Sequence, residues 1–286
     1  MGMKSYGAIE AGGTKWVCAI GNETGELAET AIFSTTTPDE TIGRAARFLA
    51  KNGPLAAVGV GCFGPVDVHA SSPTWGHITT TPKPGWANTD VAPRLAELLG
   101  IPVAFDTDVN ASAVGEQLWG AAVGLETFGY ITVGTGIGAG IVVGGRVQHG
   151  LVHPELGHMR IPHGTDDPFP GSCPFHGDCL EGLASGESLR QRWSRPAEEI
   201  DDDAAWELEA RYLACGIVNL ICTISPELVI VGGGVMKQPT LLPRIRAHVR
   251  ALLAGYVAAP EIVEPGRGRD AGVLGAIELA RRLVSP

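Results

Sequence analysis

Tyr6-Gly-Ala-Ile-Glu-Ala-Gly-Gly-Thr-Lys-Trp-Val-Cys-Ala-Ile20 sets an apolar run, a glycine turn and a second apolar run end to end. This predicts two strands, Tyr6 to Ile9 and Trp16 to Ile20, joined by a glycine-rich turn, with a third strand near Glu29 to Ser34 after the turn Gly21-Asn-Glu-Thr-Gly25. The plan returns at Tyr130 to Val133, Gly134-Thr-Gly-Ile-Gly138 and Gly140 to Val143. Each meander is followed by helices alternating with strands. The first series has a helix to about Lys51, a strand over Ala56 to Phe63, a helix over Val91 to Leu99 and a strand over Val103 to Phe105. The second has a helix over Asp203 to Thr223, a strand over Glu227 to Val231, a helix over Pro239 to Leu253, a strand over Glu261 to Val263 and a helix over Ala271 to Leu283. Alternating strands and helices imply α/β layers with partly parallel sheets. Two copies of one plan imply two related domains, expected over 1–112 plus 270–286 and over 113–269, facing across a cleft.

Composition narrows the function. The 286 residues are 44% hydrophobic and 18% charged, a globular balance. A net charge of −10 opposes binding to nucleic acid or an anionic membrane, which calls for a basic face. The 40 glycines are clustered, as turns and close backbone approach to a ligand require. The first residues lack the apolar core of a secretory signal, and Asn219, Pro226 and Glu227 interrupt the most apolar stretch, Leu213 to Val231. A cytoplasmic location follows as the expectation. Cys215 and Cys222, seven apart on one helical face, are expected in the core.

Four groups of residues carry chemistry. In Glu10-Ala-Gly-Gly-Thr-Lys15, glycines let backbone N–H groups meet phosphate oxygens, Thr14 adds a donor, and Glu10 suits a water-rich Mg²⁺. Gly134-Thr-Gly136 is a second such turn, and two could grip one polyphosphate. Gly232-Gly-Gly234 closes a strand, where nucleotides sit in α/β folds. In Asp106-Thr-Asp108-Val-Asn110 one acid serves as a base near a hydroxyl, or Asp106 or Asp108 caps the following helix. His158, Cys173, His176 and Cys179 form H-x14-C-x2-H-x2-C, two imidazoles and two thiolates suited to tetrahedral zinc. Four protein ligands leave no open position, so the metal is structural, and a zinc hydrolase is disfavoured. His153 or His163 could replace one ligand.

Taken together, Glu10-x-Gly-Gly-Thr-Lys15, Asp106-Thr-Asp-Val-Asn110, Gly134-Thr-Gly-Ile-Gly138, Pro154-Glu-Leu-Gly-His158, Cys179-Leu-Glu-Gly182 and Ala271-Gly-Val-Leu-Gly-Ala276 resemble the ROK family (repressor, open reading frame, kinase). The resemblance is to its bacterial fructokinase branch. Glu10 stands where Asp is commoner, Asp-Thr-Asp replaces Glu-Asn-Asp, the zinc loop lacks Cys-x-Cys-Gly, and Thr80-Thr-Pro-Lys-Pro-Gly-Trp86 looks like that branch. It implies two ribonuclease-H-like domains of the actin and hexokinase type around a central nucleotide and sugar cleft. It also implies ATP-dependent phosphorylation of fructose at the 6-hydroxyl, with mannose or glucose as alternative acceptors, and a homodimer. Asp108 resembles the base, and Asn110, Glu155, His158 and Glu181 match positions near the sugar. Gly12, Gly13, Thr14, Lys15, Gly134, Thr135 and Gly136 match the phosphate loops, Gly232, Gly233 and Gly234 the adenosine side, and Glu10 the magnesium site. Thr107 replaces a sugar-binding Asn. A non-catalytic sugar-binding regulator is opposed by Asp108 together with both turns. The first strand begins by residue 6, so the helix-turn-helix of the family's repressors is not expected.

Overall fold

The structure, a computed structural model, describes residues 4–285; the outermost residues of the expected first domain, 1–3 and 286, lie outside the described residues. The chain forms two α/β units. One comprises Met1–Gly124, Val147–His153 and Gly266–Pro286, the other Leu125–Arg146 and Pro154–Pro265. A division at residue 112 would cut the helix Asp108–Trp119, which folds whole in the first unit. The chain returns to that unit at Gly266, not at 270.

In the first unit, β1 (Ser5–Ala11), β2 (Lys15–Asn22) and β3 (Leu27–Ser34) form an antiparallel meander. β4 (Val58–Cys62) pairs parallel to β1, and β7 (Val103–Thr107) parallel to β4, giving the order β3-β2-β1-β4-β7. The two-stranded β5 (His77–Ile78) and β6 (Thr89–Asp90) stand apart. Alternation along β1 splits the core: Ile9 and Ala11 pack with α1 (Pro38–Lys51) and α2 (Val91–Leu99), while Tyr6 and Ala8 pack with Val273, Ala276 and Ile277 of α8 (Ala271–Val284). Helix α1 follows its sequence signals, with Thr37 as N-cap, Pro38 at its start and acids in its first turn.

Helix α3 (Asp108–Trp119) is buried at every position from Val109 to Glu116. It lies backbone to backbone against α8: a Cβ on Gly115 would overlap the carbonyl of Ala271, and one on Gly275 the carbonyl of Ala111. The expected cap is corrected here. Thr107, not Asp106 or Asp108, is the N-cap, accepting from Asn110 N at 3.0 Å. At the far end, the buried Glu116 carboxylate accepts from Ala121 N at 2.7 Å and from Gly266 N and Arg267 N at 2.8 Å. Three backbone donors thus satisfy this anion where the chain re-enters the unit.

The second unit repeats the plan. β8 (Phe128–Val133) and β9 (Ile137–Val143) are antiparallel, β11 (Leu228–Gly232) is parallel to β8 and β12 (Glu261–Val263) to β11. With β10 (Arg146–Val147) the order is β10-β9-β8-β11-β12. Helices α6 (Asp203–Ile224) and α7 (Leu241–Leu253) cover the apolar side chains of β8, β9 and β11. Cys215 packs on this core, but Cys222 is exposed, on the outward side of α6 where Leu220, Ile221 and Ile224 face the core. Two helices escaped the sequence reading, α4 (Leu180–Ala184) and α5 (Gly186–Trp193), capped by Cys179 and Ser185. Among the described residues no helix is long and apolar enough to cross a membrane.

Glu209 of α6 is fully buried and neither carboxyl oxygen has a hydrogen-bond partner. Burial raises its pKa well above 4.5, against a smaller opposing pull from Arg192. The fold therefore holds the neutral acid, whereas the unfolded chain ionises above about pH 4.5. The native state binds more protons in that range, so this group's contribution to stability is lost as pH rises, by ~1.4 kcal/mol per pH unit. Glu209→Gln, which cannot ionise, is expected to gain on the wild type by that slope as pH rises above the ordinary carboxyl range in denaturant titrations. A pH-independent difference would show that Glu209 is not held neutral.

Candidate active site

In the first unit the site grows from the carboxyl ends of β1, β4 and β7. The turn after β1 is tight: Gly12 N donates to Lys15 O at 3.0 Å, and Thr35 Oγ1 donates to Gly12 O at 2.7 Å. Gly12 and Gly13 are half-buried and Thr14 and Lys15 exposed, so the backbone of the turn is open on one side. Glu10 projects beside α8 into room left by Gly272, where a Cβ would lie 2.5 Å from Oε2. Burial, then the charge of Asp108, raises Glu10 to about 7, with Lys15 pulling the other way. Burial also raises Asp108 to about 6. Two desolvated carboxylates that repel one another form an electrostatic hole, and the donor chemistry suits Mg²⁺.

The two acids of Asp106-Thr-Asp108 differ in what they already hold. Asp106, 4% exposed, accepts from Thr107 N and Asn110 Nδ2, each at 2.7 Å, and lies 3.0 Å from His149 Nε2. Asp108 Oδ1 accepts from Val109 N at 2.9 Å, and among the described residues the carboxylate takes no side-chain donor. Asp106 is thus engaged on its own unit, while Asp108 keeps proton-accepting capacity. Asn110 is buried with its Oδ1 unpartnered.

In the second unit, Gly134 N donates to Gly136 O at 2.9 Å, and Gly134 O accepts from Gly186 N at 2.7 Å, seating the turn on the start of α5. Neither Gly134 nor Gly136 has a positive φ. The Glu181 carboxylate occupies the space beside Gly136, so a Cβ there would require that side chain to move. A cavity of about 810 Å³, within the range of small-molecule sites, is lined by Gly134, Thr135, Gly186, Arg190, Gly234 and Lys237 on its polar side. Ile200, Trp206 and Val235 supply apolar wall. Gly234 reaches this cavity, but Gly232 is buried in β11 against Pro265, and Gly233 takes a positive φ of 101° beside Val133. Gly186, Arg190, Trp206 and Lys237 were not legible in the sequence, because only folding brings them to the two glycine elements.

His158, Cys173, His176 and Cys179 converge, their donor atoms all within 4.8 Å of one another. His158 Nδ1 lies 3.2 Å from His176 Nδ1, 3.6 Å from Cys173 Sγ and 3.7 Å from Cys179 Sγ. A zinc tetrahedron with ordinary bond lengths has N–N edges of about 3.3 Å and S–N edges of about 3.6 Å. The four residues fit such an ion. The alternatives are engaged elsewhere: His153 Nε2 accepts from Val66 N at 3.1 Å in the first unit, and His163 lies between Asp167 and Asp178. His158 turns Nε2 toward Glu181 Oε1, 3.9 Å away, while Glu181 Oε2 accepts from Ile137 N at 2.9 Å. Glu155 is half-buried three residues before His158, at the start of a 3-10 turn.

The site residues thus fall into two sets. Glu10, the first turn, Asp108 and Asn110 belong to one unit; Gly134–Gly136, Glu155, His158, Glu181, the metal cluster and Gly234 belong to the other. The sequence is similar over most of its length to the fructokinase of Zymomonas mobilis subsp. mobilis, 43% identical and covering 97% of this chain and 96% of that protein. The fructokinase of Lactococcus lactis subsp. cremoris is 44% identical over 91% of this chain and 89% of its own length. Among solved structures, a ROK family glucokinase from Streptomyces griseus in complex with glucose and AMPPNP matches with a TM-score of 0.81 at 26% identity, covering 98% of this chain and 100% of that one. The ROK family model matches residues 6–283, and the chain belongs to the ROK family.

Proposed function

We propose that the protein is an ATP-dependent fructokinase that transfers the γ-phosphoryl group of ATP to the 6-hydroxyl of D-fructose, giving fructose 6-phosphate and ADP. The observation that carries the chemistry is the unequal engagement of the two acids before α3: Asp106 is held by three donors, and Asp108 by one backbone N–H. The choice of fructose is supported by 41–44% identity to several fructokinases. Mannose and glucose are the acceptors to test beside it.

Asp108 accepts the hydroxyl proton as the oxygen attacks phosphorus, and the bond from phosphorus to the ADP oxygen breaks. Its pKa near 6 leaves it ionised at neutral pH yet more basic than an ordinary aspartate. Asn110, Glu155, His158 and Glu181 hold the sugar. Backbone N–H groups of Gly12–Lys15 and Gly134–Gly136 hold phosphate oxygens, and the cavity beside Gly234 takes the adenosine. Glu10 would hold Mg²⁺, which supplies charge neutralisation on the phosphates. His158, Cys173, His176 and Cys179 would hold a structural zinc that fixes the wall carrying Glu155 and Glu181. Thiolate ligands and six free cysteines support a reducing, cytoplasmic setting, and family likeness supports a homodimer.

ADP release coupled to a panel of hexoses is the first test; turnover with none of them would sink the assignment. Asp108→Asn is expected to keep its fold and sugar affinity and to lose ~10²–10⁴-fold in kcat. More than a tenth of wild-type turnover would move the base elsewhere.

Metal content is the second test. Elemental analysis of metal-replete protein is expected to give close to one zinc per chain. Cys179→Ser is expected to lose it, to melt at lower temperature and to show a raised KM for fructose with a smaller change for ATP. Retained zinc together with unchanged sugar affinity would exclude Cys179 as a ligand.

A further inference from the structure

His149 lies on the segment Val147–His153, the short excursion by which the chain revisits the first unit. Its Nε2 is 3.0 Å from both carboxylate oxygens of Asp106 and 3.2 Å from Asn110 Nδ2. Asn110 Nδ2 is itself a donor to Asp106, so the ring must meet the carboxylate as an N–H donor through Nε2. The other ring nitrogen, Nδ1, meets no partner among the described residues. The side chain is 33% exposed where that of Asp106 is 6% exposed, so His149 is the member of this trio that solvent reaches. Asn110 adds an independent sign of a ligand: it is 1% exposed, and its Oδ1 has no partner.

One ring nitrogen and one amide oxygen are thus left unmet on two side chains that the same buried carboxylate holds. The hydroxyls of a sugar, donors and acceptors at once, are the chemistry that answers both. We propose that His149 is a sugar-binding residue of this kinase, held through Nε2 on Asp106 and donating from Nδ1–H to a hydroxyl oxygen of the hexose. Asp106 then acts as a positioning residue that fixes the ring and turns the Asn110 amide. This deepens the fructokinase reading and rests on it, since the hexose is the ligand that reading supplies.

The sign of the pH dependence follows from the ring's surroundings. Asp106 is the charged group in hydrogen-bond contact with His149, and its hydrogen bond raises the imidazole pKa above 6.5, against opposition from partial burial. The cation, with Nδ1–H in place, persists toward neutral pH. Deprotonation keeps the Nε2–H contact to Asp106 and strips the proton from Nδ1, so sugar affinity falls as pH rises through the ring's pKa.

Steady-state kinetics of the full-length enzyme with fructose and ATP test this, on wild type, His149→Phe and His149→Gln. His149→Phe is expected to raise KM for fructose by ~10–100-fold, the loss of one charge-assisted hydrogen bond, with kcat and KM for ATP within about threefold. His149→Gln, which keeps an N–H donor but cannot titrate, is expected to recover part of the affinity. It should also lose the fall in wild-type kcat/KM for fructose that accompanies deprotonation of the ring as pH rises. Unchanged KM for fructose in both variants, or a wild-type alkaline limb that persists in His149→Gln, overturns the assignment. If His149→Phe does not fold, the pH profile of His149→Gln decides alone. Wild type without hexose-dependent ADP release would overturn the kinase reading and this inference with it; an active wild type with indifferent variants would overturn this inference only.

Discussion

Everything in the first unit depends on how closely backbone meets backbone around the head of α3. Gly61 of β4 leaves room for the Cα of Asp108, where an added Cβ would sit at 3.2 Å, and Gly59 of the same strand leaves room for the Ala276 carbonyl of α8. Gly115 and Gly275 remove the side chains that would part α3 from α8. The cost is the extra conformational freedom of glycine in the unfolded chain, ~0.5–1 kcal/mol at each position. The return is a helix start locked against a strand end, which no arrangement of larger side chains could bring as near. Gly272 extends the same logic to Glu10, whose carboxylate occupies the space a side chain would fill.

That close packing explains why neighbouring acids behave differently. Strand β7 delivers Asp106 into the protein, where Thr107 N and Asn110 Nδ2 turn it into a satisfied structural anion. Thr107 then caps the helix, and the chain's change of direction carries Asp108 out of reach of those donors. Its carboxyl is desolvated without being fully engaged, which is the condition that raises a carboxyl pKa and suits a general base. The Thr107 hydroxyl accepts from Asn110 N as the helix cap and keeps its own proton to donate.

How far the sequence could be read follows from which interactions are local. The meanders around Gly12 and Gly134, the helix Val91–Leu99 and the strand Glu261–Val263 were legible because turns and apolar runs announce them within a few residues. The C-x2-H-x2-C spacing was legible because the donors lie close along the chain. Helix α3 was expected only as the helix that Asp106 or Asp108 would cap, without bounds: buried from Val109 to Glu116, it offers no polar face to time its periodicity. Helices α4 and α5 are short, and the cap of α4 is a cysteine already claimed by the metal pattern. His149 could not be found at all, since its contacts to Asp106 and Asn110 span 43 and 39 residues and no local pattern marks them.

In the second unit, a single side chain connects the His/Cys cluster to the glycine turn. His158 uses Nδ1 toward the cluster, which leaves Nε2 facing Glu181. Glu181 in turn accepts from Ile137 N, one residue beyond the glycine turn, and fills the space beside Gly136. One carboxylate is therefore shared between a histidine oriented by the cluster and the backbone of the turn. Any ligand that draws on Glu181 must compete with, or ride on, the Ile137 N–H bond, so a change at this carboxylate is felt by the backbone of the turn. The two oxygens of the carboxylate face the two sides separately, Oε2 the turn and Oε1 the histidine, and α4 sets the side chain in place two residues after Cys179, itself the cap of that helix.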